Sequence, residues 1–371
     1  MKNIIKYKRI YLIGLLPLSY ILILIAKNSS FFAEQIYAKH IYKFISEILS
    51  TITGIIPFSI SEILIIAIPV ILLVIVVGFI IRMFAEKSKR KERMIKGIIN
   101  IFCTVSIAMF LFTIMGGINY YRYSFAKYSN LEIQDSSVDE LYALTANLAF
   151  AANELRAQVP ETDEDGVFRL SMSQYEAAKM AAKAYQELAK DYPILGGGSY
   201  GKPKPVLLSK LMSQTEITGI FIPFTMEANI NVDVPDYSIP DTMLHELAHM
   251  RGFMREDEAN YLAYLAGMKT DNVEFEYSST MQVLITAGNA LYEQDPVKYQ
   301  QIADQYSKEV QTDLRANSVY WQKFDDSVIS TVSNKINDTY LKANNQTDGV
   351  KSYGRMLDLL LAKYRKDHEN N

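Results

Sequence analysis

Cysteine is almost absent from this chain. Cys103 stands alone among 371 residues and lies inside an apolar run, which excludes a disulfide framework and a thiolate metal site. Histidine is nearly as scarce, with four in the whole chain, so a pair at ligand spacing carries weight. Acidic residues are sparse up to Asn130, where about 16 Lys and Arg face about 5 Asp and Glu; beyond it roughly 22 face 36. The net charge of −3 therefore conceals a basic first third and an acidic remainder. The basic residues sit beside apolar runs and are not interleaved with aromatics on a soluble surface. That excludes a nucleic-acid binder and makes the lipid bilayer the expected partner.

Three stretches have the length and apolarity to cross a bilayer, which takes about 20 residues with few or no charges. They are residues 10–26, 63–84 and 97–121. The first follows Lys2, Lys6, Lys8 and Arg9, a pattern that also describes a signal peptide. Pro17, Ser19 and Tyr20, and the lack of a small-x-small site after the run, favour an uncleaved anchor. Short loops rich in Lys and Arg stay in the cytoplasm. The basic amino terminus and the cluster Arg82, Lys87, Lys89, Arg90, Lys91, Arg93 and Lys96 are therefore expected inside. The expected product is a multi-pass cell-membrane protein with a membrane region over 1–121 and an extracytoplasmic domain over 122–371. Between the first two spans, Phe32, Ile36, Ile41, Phe44, Ile45, Ile48, Leu49 and Ile52 recur at helical spacing. This helix either lies on the outer leaflet or packs on the soluble domain.

In the second region Ser137 with Glu140 forms a capping-box signature for a helix reaching about Gln158 and ended by Pro160. A second helix fits Ser173 to Lys190. Gly196-Gly197-Gly198 lacks the strand and helix of a phosphate loop and reads as a flexible linker. Strand patterns follow at Pro205 to Ser209, Thr218 to Phe224 and Ala228 to Val234. Later helices fit Tyr277 to Tyr292, Pro296 to Tyr306, Ser318 to Ala343 and Ser352 to Lys366, with a turn at Asp348-Gly349. The fold class is α+β, mostly helical: transmembrane helices, then a domain with a small antiparallel sheet.

Two of the four histidines fall in His245-Glu246-Leu247-Ala248-His249. On a helix, residues four apart stand on one face, so both imidazoles can share one metal ion. Glu246 suits the base that takes a proton from an activated water. Ser238 is placed to cap this helix, with Asp241 three residues later and Pro240 in the first turn. Chance alone produces such a motif in this composition on the order of three times in a thousand. A catalytic zinc needs three protein ligands and an open position. With no third histidine nearby, the remaining ligand is expected among Glu256, Asp257 and Glu258, just past Gly252, a residue that can end the helix in a left-handed conformation.

Glu256-Asp257-Glu258-Ala259-Asn260 resembles the Glu-x-x-Ala-Asp helix of gluzincin metallopeptidases, notably the membrane-bound CAAX prenyl endopeptidase type. That resemblance implies a zincin-like domain, Glu256 as third zinc ligand and Asn260 as hydrogen-bond acceptor for a ligand histidine. Asn stands where those enzymes have Asp, and Glu258 stays open as the alternative ligand. More widely, Ile222-Pro223-Phe224-Thr225-Met226-Glu227-Ala228-Asn229, the zinc motif, Tyr340-Leu341-Lys342-Ala343-Asn344 and Asp348 to Gly354 are similar to the bacterial membrane family called domain of unknown function 3810. The expected activity is hydrolysis of peptide bonds in an extracytoplasmic protein or peptide, using one Zn2+ ion and Glu246. A non-catalytic zinc-binding membrane protein and a zinc amidase acting on envelope material remain alternatives. The resemblance to gluzincins also implies a strand ahead of the motif helix along which a peptide lies, either Thr218 to Phe224 or Ala228 to Val234, with Glu227 and Asn229 either reaching the cleft or capping a turn. Tyr261, Tyr264, Arg251 and Arg255 are the oxyanion-donor candidates, and spacing does not choose among them.

Overall fold

The computed structural model describes residues 8–196, 198–325, 327–344, 346 and 356–369. Lys2, Lys6, Gly197, the Asp348-Gly349 turn and the stretch from Asp348 to Gly354 lie outside them.

The chain begins with a 3-10 helix, Lys8–Gly14, that runs into α1 (Leu15–Asn28). A π-helical run, Phe32–Tyr42, continues as α2 (Lys43–Gly54). Then come α3 (Ile60–Ala85) and α4 (Arg90–Met115). Three helical segments, Lys8–Asn28, Ile60–Ala85 and Lys87–Met115, are long and apolar enough to cross a membrane. In α3 the most apolar window is wholly unburied by protein, and only lipid can cover such a surface without a large hydrophobic cost. The chain is membrane-associated through these helices. Three of their hydroxyls are satisfied within the helix: Ser19 donates to the Leu15 carbonyl at 2.7 Å, Ser106 to Phe102 at 2.6 Å and Thr113 to Met109 at 2.8 Å. The third apolar helix stops at Met115, six residues short of its predicted end, because the chain breaks at Gly116 into a buried 3-10 turn, Gly117–Tyr121.

The remainder contains α5 (Ala126–Ser129), α6 (Val138–Arg156), α7 (Gln174–Asp191), β1 (Lys204–Pro205), α8 (Ser209–Gln214), β2 (Gly219–Ile222) and β3 (Glu227–Ile230). After these come α9 (Ile239–Met250), α10 (Glu256–Gly267), α11 (Val273–Gln294), α12 (Pro296–Ala303), α13 (Lys308–Trp321), α14 (Val328–Ala343) and α15 (Met356–Glu369). The expected capping box at Ser137/Glu140 starts α6, and a second one at Ser173/Glu176 starts α7. The single helix predicted from Ser318 to Ala343 is instead two, α13 and α14, and Ser327 caps the second by accepting the Ser330 N–H.

The sheet order is β1-β3-β2. β2 runs antiparallel to β3, but β1 runs parallel to it, so the sheet is mixed and not antiparallel throughout. The reason is topological: the chain leaves β1 through α8 to β2, and the β2–β3 hairpin then brings β3 back between them in the direction of β1. β2 is left at the edge. Helices α9, α10 and α11 pack on one another and on α6 and α7. Their core is built from Leu244, Leu247, Leu262, Phe275, Met281 and Leu284, all buried.

Buried polar contacts link the membrane helices, the 32–42 run and the sheet. Tyr37 donates to the Ile114 carbonyl at 2.5 Å, at the end of α4. Arg122 pairs with Glu34 in the π-helical run at 2.8 Å, both side chains buried. Glu227 on β3 is paired with Lys204 at 2.5 Å and accepts from the Ser61 N–H at 2.8 Å and the Ile60 N–H at 3.1 Å, at the amino end of α3. Asn229 accepts from the Ser59 hydroxyl at 2.5 Å. Glu227 and Asn229 thus hold a membrane helix against the sheet and do not enter a cleft. The run from Phe32 to Ile52 packs on the rest of the protein through Tyr37 and Tyr42, both buried, and leaves Phe44, Ile48 and Ile52 exposed.

Candidate metal centre

Helix α9 carries the motif, and its start differs from the expected one. A 3-10 turn, Asp236–Ser238, leads directly into it, and Ser238 makes no side-chain cap but donates to the Pro235 carbonyl at 2.8 Å. With Ser238 already helical, no cap is needed from it, and Asp241 turns inward. Burial pushes the Asp241 carboxyl up to about 7, against the lowering effects of the Ser279 hydroxyl and His245. At the other end Gly252 has φ +85°, the left-handed stop that was expected. A Cβ there would lie 2.8 Å from Tyr42 and 2.9 Å from Arg122, so glycine is required by space as well as by backbone.

The turn after Gly252 brings α10 back beside α9. His245 and His249 face each other with Nε2 atoms 3.0 Å apart. Glu256 approaches both, 3.1 Å from His245 Nε2 and 3.6 Å from His249 Nε2. One ligand atom from each residue lies within 4.8 Å of the others, a cluster that can hold a metal ion. Glu258 does not join them. It accepts from the Phe125 N–H at 2.5 Å and from Arg255.

The far sides of the rings decide the tautomers. His245 Nδ1 lies 2.7 Å from Asn260 Oδ1, and His249 Nδ1 lies 2.8 Å from the Phe253 carbonyl. Both neighbours are acceptors, so each Nδ1 carries the hydrogen and each Nε2 presents its lone pair to the cluster. Two lone pairs and a carboxylate then converge on one point with no donor among them, which a cation satisfies. Without metal a proton takes that role. Although burial opposes it, the Glu256 hydrogen bond and the fields of Glu246 and Asp241 raise His245 to about 9. Glu256 is held far below the usual carboxylate range by His249 and His245, despite its burial. The donor set, two imidazoles and one carboxylate, suits zinc with one coordination position left open.

Glu246 lies next to this cluster, buried. Burial raises its carboxyl, while His245, His249 and a hydrogen bond from the Phe221 N–H act the other way. Its Oε2 has no hydrogen-bond partner among the described residues. Gly219 on β2 makes room for it, since a Cβ there would sit 2.6 Å from Glu246 Oε1 and 2.6 Å from Thr242 Cγ2.

The four oxyanion candidates are all engaged elsewhere. Arg251 lies between the rings of Tyr185 and Tyr200 at 4.3 and 4.4 Å. Arg255 pairs with Glu258, Tyr261 packs against Phe125, and Tyr264 packs against the core. Three residues that spacing did not reveal stand around the cluster. The Phe221 ring is 6.5 Å from that of His249. Gln346 accepts the Glu256 N–H at 3.1 Å. Tyr340, whose phenol is raised by burial and by the Glu256 carboxylate, shares a 3.0 Å hydroxyl contact with Tyr120.

These features define a class: a membrane-associated, mostly helical protein with a buried two-histidine, one-carboxylate cluster beside a further carboxylate that has one unpartnered oxygen. Residues 37–361 match the family described as Protein of unknown function (DUF3810), and the chain belongs to that family. No curated protein and no solved structure matches it.

Proposed function

We propose that this protein is a membrane-anchored zinc peptidase whose metal ligands are His245, His249 and Glu256 and whose general base is Glu246. The observation that carries the reading is the buried, unpartnered Oε2 of Glu246 beside three converging donors. A structural zinc site has no use for such an orphan, because a buried carboxylate without a partner is costly. Zinc, when bound, supplies a Lewis acid for the scissile carbonyl and lowers the pKa of water. Glu246 takes the proton of the attacking water and returns it to the leaving nitrogen. Burial, which raises the affinity of its carboxylate for a proton, favours that task. Asn260 and the Phe253 carbonyl orient the two histidines.

The location belongs to the same proposal. Lys87, Lys89, Arg90, Lys91, Arg93 and Lys96 between the second and third apolar helices favour a cytoplasmic loop there. The amino terminus is then cytoplasmic and the metal centre extracytoplasmic.

The test is metal content and peptide hydrolysis of the purified full chain in detergent. Wild type is expected to hold about one zinc per chain and to cleave a mixed peptide library, while His245→Ala loses the metal. Glu246→Gln is expected to keep zinc and lose roughly 10²–10⁴-fold in kcat. A zinc-loaded wild type that cleaves nothing overturns the peptidase reading in favour of a non-catalytic zinc protein. A wild type without zinc overturns both.

A further inference from the structure

On α14, Ile329, Val332, Ile336 and Tyr340 follow one another at steps of three, four and four residues, which puts them on one face. All four are exposed, at 50%, 52%, 64% and 41%. Such a row on a helix otherwise fastened to the protein is unusual for a water-facing surface. Three of the four line a groove of about 390 Å³ together with Thr215 and Ser333.

The row is fixed at two places. Between Val332 and Ile336 the Ser333 hydroxyl donates to the Thr215 carbonyl at 2.9 Å, and Asn334 donates to Glu216 at 2.8 Å. Thr215 stands four residues ahead of β2, the edge strand whose Phe221 adjoins His249. At its far end Tyr340 meets Tyr120, and its ring lies 6.2 Å from that of Phe112, three residues before α4 ends. Gln346, just beyond α14, accepts the Glu256 N–H. The row therefore runs from beside the segment that leads into the edge strand to the end of a membrane helix, and the chain just beyond it reaches Glu256 of the cluster. Phe224, just after the strand, adds exposed apolar surface of its own.

We propose that the substrate of this centre is a membrane-tethered polypeptide, whose apolar segment next to its own anchor lies extended between β2 and the exposed row of α14. The proposal rests on the peptidase reading above. A strand edge binds extended backbone, and the flanking surface then selects side chains. Here that surface is apolar on both sides. Its continuity with Phe112 lets a chain leaving the bilayer beside α4 reach the metal cluster without crossing open water. A soluble, polar peptide would leave the row uncovered.

The experiment uses zinc-loaded full chain in vesicles of phosphatidylethanolamine and phosphatidylglycerol. A mixed-sequence peptide library is supplied either free or fused to a single transmembrane helix. The tethered library is expected to be cut at least about tenfold faster, because tethering raises the effective concentration at the site, and its cut sites should be flanked by apolar residues near the anchor. Val332→Asp and Ile336→Asp should each raise KM for tethered substrate several-fold while zinc content and kcat persist. Equal rates on both libraries, or aspartate variants with unchanged KM, overturn the inference. Glu246-dependent cutting of free polar peptides alone keeps the peptidase reading and overturns this one. No cutting of either library overturns both. A nitroxide on Ile336→Cys that reports acyl-chain depth would show the bilayer itself covering the row, and that too overturns it.

Discussion

At His245 and His249 each imidazole divides its two nitrogens between a fixed acceptor and the cluster. Removing the acceptor at Asn260 should therefore loosen the metal without removing a ligand. Asn260→Leu is expected to weaken zinc binding roughly 10–100-fold in competition with a chelator, and Asn260→Asp to retain it. The metal-free centre should also be sensitive to pH. His245 is raised from its ordinary 6.5 to about 9 in the fold, so the stability it contributes is complete below pH 6.5 and is lost as pH rises through about 9. The melting temperature of metal-free protein should fall across that window. His245→Ala should flatten the fall. His245, His249, Glu256 and Asn260 were legible in the sequence because they lie within two adjoining helices, where residue spacing alone sets which face they share. Phe221, Tyr340 and Gln346 were not, since they reach the cluster through tertiary packing of segments far along the chain. The four oxyanion candidates failed for the complementary reason: proximity in sequence to the motif did not translate into direction toward it.

Among the elements, the carboxyl end of α9 depends on residues far from it in the chain. Tyr42 donates to the carbonyls of His249 and Met250 at 3.1 and 3.2 Å, and Arg122 donates to those of Arg251 and Gly252 at 3.2 and 3.1 Å. These are the carbonyls that a helix end leaves without partners. Arg122 is itself buried against Glu34, and a buried pair that loses one member leaves an uncompensated charge. Glu34→Gln should destabilise the protein by about 3–5 kcal/mol, measured as a lowered denaturation midpoint in detergent. The capping boxes of α6 and α7 were readable from a four-residue pattern. Ser238 presented the same kind of pattern and was misread, because a preceding 3-10 turn already supplied the helical entry. The break between α13 and α14 was missed since both flanks have helical periodicity, and only the cap at Ser327 separates them.

For the whole molecule, the apolar helices were plain in the sequence because length and lack of charge suffice to detect them. How they join the rest was not, since the links are single buried side chains: Tyr37, Glu34, Arg122 and Glu227. The proposed topology expects a cysteine introduced at Lys89, in a Cys103→Ala background, to be blocked from outside in intact cells, and one at Lys323 to react with an impermeant maleimide. The opposite labelling would reverse the orientation.

The dependence of α9 on Tyr42 and Arg122 also sets an order of maturation. Both residues precede α9 in the chain: Tyr42 closes the run whose Tyr37 bonds to the end of α4, and Arg122 follows α4 and pairs with Glu34 of that same run. A chain still awaiting insertion has its histidines but lacks the brace that aligns them. Under the proposed function, metal capture waits on that brace, and a newly made chain is expected to stay inert until its apolar helices are in place.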